Sequence, residues 1–252
     1  MKKRSSNTNL QSKVYRGGKE EATRHSPGRH PAHSTIRRGA DDAANKGRRM
    51  NATWYKDPMN VIITGVGGQG NVMASRVLAG MLVNAGYFVT IGETFGMSQR
   101  GGSVMSHLRI SSKSVFSPQI PQGKADIIIA LEPVEALRVL ARYGNPDVAV
   151  LSNSRVVYPI GVINGDFVYP SLDEIKSAFE KLTAHSWLID ATDAAVELGN
   201  PVLGNIVMIG ALANTAMLPI DRRAFEREIT KDMSADKRKL NLAAFDAGAK
   251  MI

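Results

Sequence analysis

Residues 60–80 read NVIITGVGGQGNVMASRVLAG. Gly65, Gly67 and Gly70 stand at the spacing G-x-G-x-x-G. Between a strand and a helix, that spacing lets backbone N–H groups close around a pyrophosphate. Gly68 is a fourth glycine and Gln69 a polar amide, and a pyrophosphate turn requires neither. A nicotinamide site also wants an acidic residue about 20 residues on, at the end of the second strand. Glu93 is the available carboxylate, but it falls past the expected strand, inside a Gly-rich loop. These residues leave three uses open: a dinucleotide, another anionic ligand, or a packing turn that holds nothing.

A second cluster follows in GETFGMSQRGG, residues 92–102. Arg100 beside Gly101 and Gly102 offers a planar guanidinium fork for a carboxylate or phosphate. Glu93, Ser98 and Gln99 can hydrogen-bond that arginine or a ligand. A solvated loop in which Arg100 pairs with Glu93 explains the same residues. Long Gly-rich loops between strands are nevertheless where function concentrates. The turn at 65–70 and this loop are expected to meet at one edge of a sheet, as one site or one interface. Glu132 follows an apolar strand at its carboxyl end, where it either contacts a ligand or opens a helix. His107 sits on a strand beside Met105 and Arg109 and reads as structural or interfacial.

Several chemistries are excluded. The chain contains no cysteine, so it has no disulfide, thiolate zinc site, cysteine nucleophile or cysteine-ligated cluster. No Ser/His/Asp set, no H-E-x-x-H and no paired carboxylates with a base can be assembled. Any redox centre serving this protein belongs to a partner, and the cytoplasm is the default compartment.

The elements that must position these residues alternate in type. Strands are expected at 60–64, 87–91, 103–110, 127–131, 147–152 and 187–191. Helices are expected at 71–86, 133–143, 172–182, 192–199 with Thr192 as cap, 221–230 and about 236–247. Asn164-Gly165 between β-forming residues predicts a hairpin. The apolar run 201–219 is short for a bilayer and interrupted by Asn205 and Asn214, so it reads as a buried or interface helix packed closely through Gly204 and Gly210. Strand, Gly-rich turn, helix and strand in succession predict an α/β, Rossmann-like fold. Its sheet is mostly parallel, with helices on both faces and a β-hairpin insertion.

Charge is distributed unevenly. Residues 1–58 hold 14 Lys/Arg against 5 Asp/Glu, whereas residues 59–252 hold 18 of each. The whole +9 excess therefore lies in a leader without apolar periodicity, expected to be disordered, with residues 59–252 as a single domain. Met50 and Met59 both precede the first strand, which is compatible with a translation start later than Met1. A basic leader on a neutral body argues against nucleic acid as the dedicated partner.

GVGGQGNVMASRVLA (65–79), GETFGMSQRGGSVMSHLRI (92–110) and ALEPVEALR (130–138) resemble the gamma-type domain of 2-oxoacid:ferredoxin oxidoreductases, nearest to its arylpyruvate-oxidising branch. The likeness spans about residues 59–230. It implies a subunit rather than a free-standing dehydrogenase, in a hetero-oligomer with a large subunit that holds thiamine diphosphate and iron–sulfur clusters. It also implies coenzyme A as co-substrate and ferredoxin as electron acceptor, with no cofactor in this chain. The family's glycine turn falls on Gly65, Gly67, Gly68, Gln69 and Gly70, and its RGG loop on Arg100, Gly101 and Gly102. The resemblance favours a contact surface over a nicotinamide site. The same module serving another 2-oxoacid, or a stand-alone NAD-binding domain, are the alternatives.

Overall fold

The structure, a computed structural model, describes residues 10–15, 56–95, 102–231 and 233–252. Seven strands form one sheet: β1 Leu10–Tyr15, β2 Met59–Val66, β3 Phe88–Phe95, β4 Ser103–Ser111, β5 Ile127–Ala130, β6 Ala149–Asn153 and β7 His185–Ile189. Their spatial order is β1-β3-β4-β2-β5-β6-β7. The strands β2, β5, β6 and β7 pair in parallel. On the other side of β2, β4 is antiparallel to both β2 and β3, and β1 is antiparallel to β3.

The antiparallel β4 corrects the expected order. A doubly wound start would set β3 beside β2. Here β4 runs antiparallel to β3 and takes the place next to β2, in register from Met59 against Ile110 to Val66 against Ser103. The pairing with β4 also carries β3 to Phe95, so Glu93 lies in a strand rather than in a loop. Within the leader, Leu10–Tyr15 pairs with the outer edge of β3, where an unpaired row of N–H and C=O groups is a template for any extended segment.

The helices are α1 Asn71–Asn84, α2 Pro133–Tyr143, α3 Ile160–Ile163, α4 Leu172–Leu182, α5 Ala191–Glu197, α6 Gly204–Asn214, α7 Arg222–Ile229 and α8 Ala235–Ala249. They cover both faces. Alternate residues of β2 divide between two cores: Val61 and Ile63 pack with α1, α6, α7 and α8, whereas Ile62 packs with α2 and α4. The helix after β2 thus lies on one face and the helix after β5 on the other. That reversal opens a crevice at the carboxyl ends of the two strands.

The apolar run begins with a short 3-10 turn, Pro201–Leu203, and continues as the buried α6. Glycine is required where α6 crosses α8: a Cβ on Gly210 would lie 2.0 Å from the Phe245 carbonyl oxygen. Among the described residues no helix is long and apolar enough to cross a membrane.

The hairpin expected at Asn164-Gly165 is absent. Ile160–Ile163 form one helical turn, and Gly165 at φ 81 ends it while the Asp166 and Phe167 N–H groups donate back to the Gly161 carbonyl. An Asn-Gly pair supplies the positive φ that both a hairpin and a helix stop require.

Candidate functional site

Val66 ends β2, and the chain turns through Gly67 and Gly68 into α1, with Gly70 at φ 85 as its N-cap. The turn closes on itself. Gln69 Oε1 accepts a hydrogen bond from the Val66 N–H at 2.7 Å, and Gln69 Nε2 donates to the Leu131 carbonyl at 2.9 Å. Asn71 Nδ2 donates to the Val66 carbonyl, and Asn205 Nδ2, from α6, donates to that of Gly70. A Cβ on Gly65 would come 2.7 Å from Gln69 Oε1, and one on Gly70 would come 2.3 Å from Asn205 Nδ2. Two of the fingerprint glycines are therefore required by the protein's own amide side chains.

The neighbouring strands give a second reason against a nicotinamide. A ribose carboxylate belongs at the end of the parallel strand beside the turn. That neighbour is antiparallel here, so β4 begins beside the turn with Ser103. Glu93 lies one strand further out, buried under α1, with Arg76 Nε 4.0 Å from its carboxylate. The turn and Glu93 do not form one site.

Beside the turn, a cleft of about 260 Å³ is lined by Gln69, Leu131, Asn153, Arg155, Thr192 and Asn205, among others. Asn153 ends β6 and donates to both the Leu131 carbonyl and Thr192 Oγ1, while its own Oδ1 accepts from the Thr192 N–H. The expected cap, Thr192, thus faces Asn153, and Asp190 occupies the N-cap position of α5. The floor of the cleft is an amide network in which Gln69 and Asn153 are bonded through both oxygen and nitrogen and Asn205 through its Nδ2, and the exposed Arg155 is a cation at its rim.

Of the loop residues proposed from sequence, Ser98, Gln99, Arg100 and Gly101 lie outside the described residues. Gly102 accepts a hydrogen bond from the Gly67 N–H at 2.9 Å, so the end of the loop does meet the glycine turn. Ser103 Oγ donates to the buried Glu135 at 2.6 Å, and Glu135 is also paired with Arg138 at 2.7 Å.

Glu132 opens α2: its carboxylate accepts from the Glu135 N–H at 2.9 Å. It also accepts from the Tyr169 hydroxyl, and the Val157 N–H lies 3.5 Å away. Burial pushes its carboxyl above the ordinary value, while the bond from Tyr169 pulls it back. Glu132 is thus a cap and an anchor for the segment that returns over it, and it does not line the cleft. His107 is structural. Its Nδ1 accepts from the Ile120 N–H, Tyr143 stacks edge-on at 5.1 Å, and burial lowers its pKa to about 4.

Sequence reasoning missed Asn153, Asn205, Tyr169 and Arg76. Asn205 did stand out as a polar residue inside an apolar run. Only the fold places it against Gly70.

Residues 60–251 match the family described as pyruvate ferredoxin/flavodoxin oxidoreductase. Indolepyruvate oxidoreductase subunit IorB of Pyrococcus horikoshii is 40% identical over 76% of this chain and 94% of its own. The protein of the same name from Archaeoglobus fulgidus is 38% identical over 75% of this chain and 93% of its own. Pyruvate oxidoreductase subunit PORC of Thermotoga maritima shares the fold, with a TM-score of 0.58 at 21% identity over 78% of this chain and 97% of that one. So does the 2-oxoglutarate:ferredoxin oxidoreductase of Magnetococcus marinus, with a TM-score of 0.61 at 20% identity, where the match covers 78% of this chain but 31% of that one. With residues 60–251 matched by the family and about three quarters of the chain aligned to relatives 38–40% identical, the chain belongs to the pyruvate ferredoxin/flavodoxin oxidoreductase family.

Proposed function

We propose that the chain is a subunit of a 2-oxoacid ferredoxin oxidoreductase whose substrate is an arylpyruvate of the indolepyruvate type. The observation that carries this is the 40% identity to an indolepyruvate oxidoreductase subunit across 94% of that subunit's length. The large companion subunit holds thiamine diphosphate and iron–sulfur clusters, and this chain, having no cysteine, holds no cluster on thiolates. Together they oxidise the 2-oxoacid with coenzyme A to carbon dioxide and an acyl-CoA, passing two electrons to ferredoxin in the cytoplasm.

This chain's own residues supply a shaped surface. The glycine turn and the amide-floored cleft shape the carboxyl edge of the sheet, and Gly102, two residues after Arg100 in sequence, accepts from the Gly67 N–H at that edge. Arg100 orients an anionic group or a partner carboxylate at the subunit junction. Its replacement by Lys keeps charge but loses the fork, at a cost of roughly 10- to 150-fold in activity of the complex.

Pyruvate/ketoisovalerate and phenylglyoxylate enzymes contribute more distant relatives, at 25% and 26% identity, which favours the arylpyruvate reading over theirs. A stand-alone NAD-binding domain is disfavoured by the antiparallel neighbour of β2, which leaves Glu93 one strand away from the turn. The test is coexpression with the companion subunit, followed by acceptor reduction with indolepyruvate, pyruvate, a branched-chain oxoacid and phenylglyoxylate, with and without coenzyme A. Highest kcat/KM with indolepyruvate in a two-subunit complex supports the proposal. Turnover by the isolated chain, or preference for another oxoacid, overturns it.

A further inference from the structure

Among the described residues, eleven large apolar side chains are exposed, and six of them fall within residues 158–172. Val168 is 95% exposed, Ile160 72%, Phe167 71%, Ile163 70% and Tyr158 58%. Each of the five leaves on the order of 100 Å² or more uncovered. Together they exceed the few hundred Å² of an ordinary monomer's largest patch. They approach the roughly 800 Å² that one side of a stable interface requires.

The segment is built to hold this shape. Phe167 lies over Gly161, where a Cβ would meet its ring at 2.6 Å, and Tyr158 stacks edge-on with Tyr169 at 5.4 Å. Tyr169 in turn donates to the buried Glu132. The apolar side chains are therefore presented outward from an anchored arch. The arch leaves the sheet at the carboxyl end of β6 and begins beside Arg155, on the rim of the cleft.

We propose that this arch is the docking surface for the companion 2-oxoacid-oxidising subunit, which presents an uncharged apolar groove to it. The inference rests on the subunit reading above. Area and charge select the occupant: from 156 to 172 Asp166 is the only charged residue, and an apolar area of this size matches one side of a stable interface with a folded, uncharged partner face. The Magnetococcus chain carries this fold as 31% of its length, one part of a longer polypeptide, so in that protein the remainder is tethered to it.

The test compares the full chain with the double variant Ile163→Asp/Val168→Asp, each coexpressed with the companion subunit and analysed by light scattering and titration. Both positions are exposed, so the isolated variant keeps its melting temperature within about 2 °C. Two buried charges should weaken assembly at least about 100-fold. Val115→Asp and Val196→Asp, at exposed apolar positions outside the arch, should leave assembly unchanged. Unaltered affinity of the double variant, or equal losses in the two controls, overturns the docking surface while leaving the subunit reading intact. Failure of the unaltered chain to bind the companion overturns both. A dimer of the isolated chain that the double variant abolishes, with companion binding kept, assigns the arch to a second copy and also overturns it.

Discussion

The glycine turn at 65–70 and the arch at 155–172 both leave the carboxyl edge of the sheet, and they treat their side chains in opposite ways. In the turn, Gln69, Asn71 and Asn205 bond the backbone around the glycines. In the arch, one tyrosine and one buried carboxylate hold the segment, and the apolar side chains are left facing solvent. In a motif that reads as a ligand site the protein's own amides take up much of the turn, with Asn71 Oδ1 left buried and unbonded, while a stretch poor in charged groups is the open apolar surface. Polar residue types at a suggestive spacing mark a site only if their hydrogen-bonding capacity is still free.

The largest effect that would test this contrast lies within the turn. Gly70→Ala combines a φ of 85 with a Cβ 2.3 Å from Asn205 Nδ2, so it should destabilise by about 3 kcal/mol. Gly68→Ala carries comparable backbone strain at φ 103 but has nothing within 4 Å, so about 1–2 kcal/mol is expected. Urea denaturation of the two variants measures the difference. Equal losses would mean that the amide packing around Gly70 contributes nothing.

Acid sensitivity belongs to neither region. His107 binds its proton more weakly in the folded chain, at about 4 against 6.5, so the unfolded state takes up the proton first. Its contribution is full above pH 6.5 and is lost as pH falls toward 4, by roughly 2–3 kcal/mol. His107→Asn keeps an acceptor for the Ile120 N–H but cannot be protonated. Its stability should therefore fall less than that of the unaltered chain between pH 7 and pH 4.5. Parallel pH profiles would exclude His107 as the cause.

How much of this was legible in the sequence depended on whether the decisive interaction was local. The helices at 133–143 and 172–182 are found with the boundaries expected, because Glu132 with Pro133 and the Ser171–Glu174 capping box are local signals. The antiparallel β4 beside β2 is a long-range choice between alternative edges, and no residue of β4 announces it. The Asn164-Gly165 signal is real, but with no partner strand at that place it ends a helical turn. Gln69 was visible as a residue that a pyrophosphate turn does not need. Its bond to Leu131, 62 residues away, was not.

Gln69→Ala addresses the turn from the side chain. It leaves the Val66 N–H and the Leu131 carbonyl without their partner, and water entering the cleft offsets part of that loss. A destabilisation of about 2 kcal/mol is expected. The unaltered chain should show no NAD or NADP binding at submillimolar concentration in calorimetry, because Glu93 stands one strand away from where a ribose carboxylate belongs. Micromolar binding would reverse that reading.

The smallest effect is expected in the arch. Tyr169→Phe removes one hydrogen bond to Glu132 and should cost about 1 kcal/mol, while hydrogen exchange across 155–172 speeds up and the turn is unaffected. The pH dependence gives a sign. Burial raises the Glu132 carboxyl, so the folded chain holds that proton more tightly and stability falls as pH rises from the ordinary carboxylate value through the raised one. The Tyr169 bond opposes the rise. Without it the folded value climbs further, and the fall in stability continues to higher pH in the variant than in the unaltered chain. Denaturation midpoints from pH 4.5 upward would reveal this as a widening gap between the two. A constant gap would mean that Tyr169 holds the arch by packing against Tyr158 and not through the carboxylate.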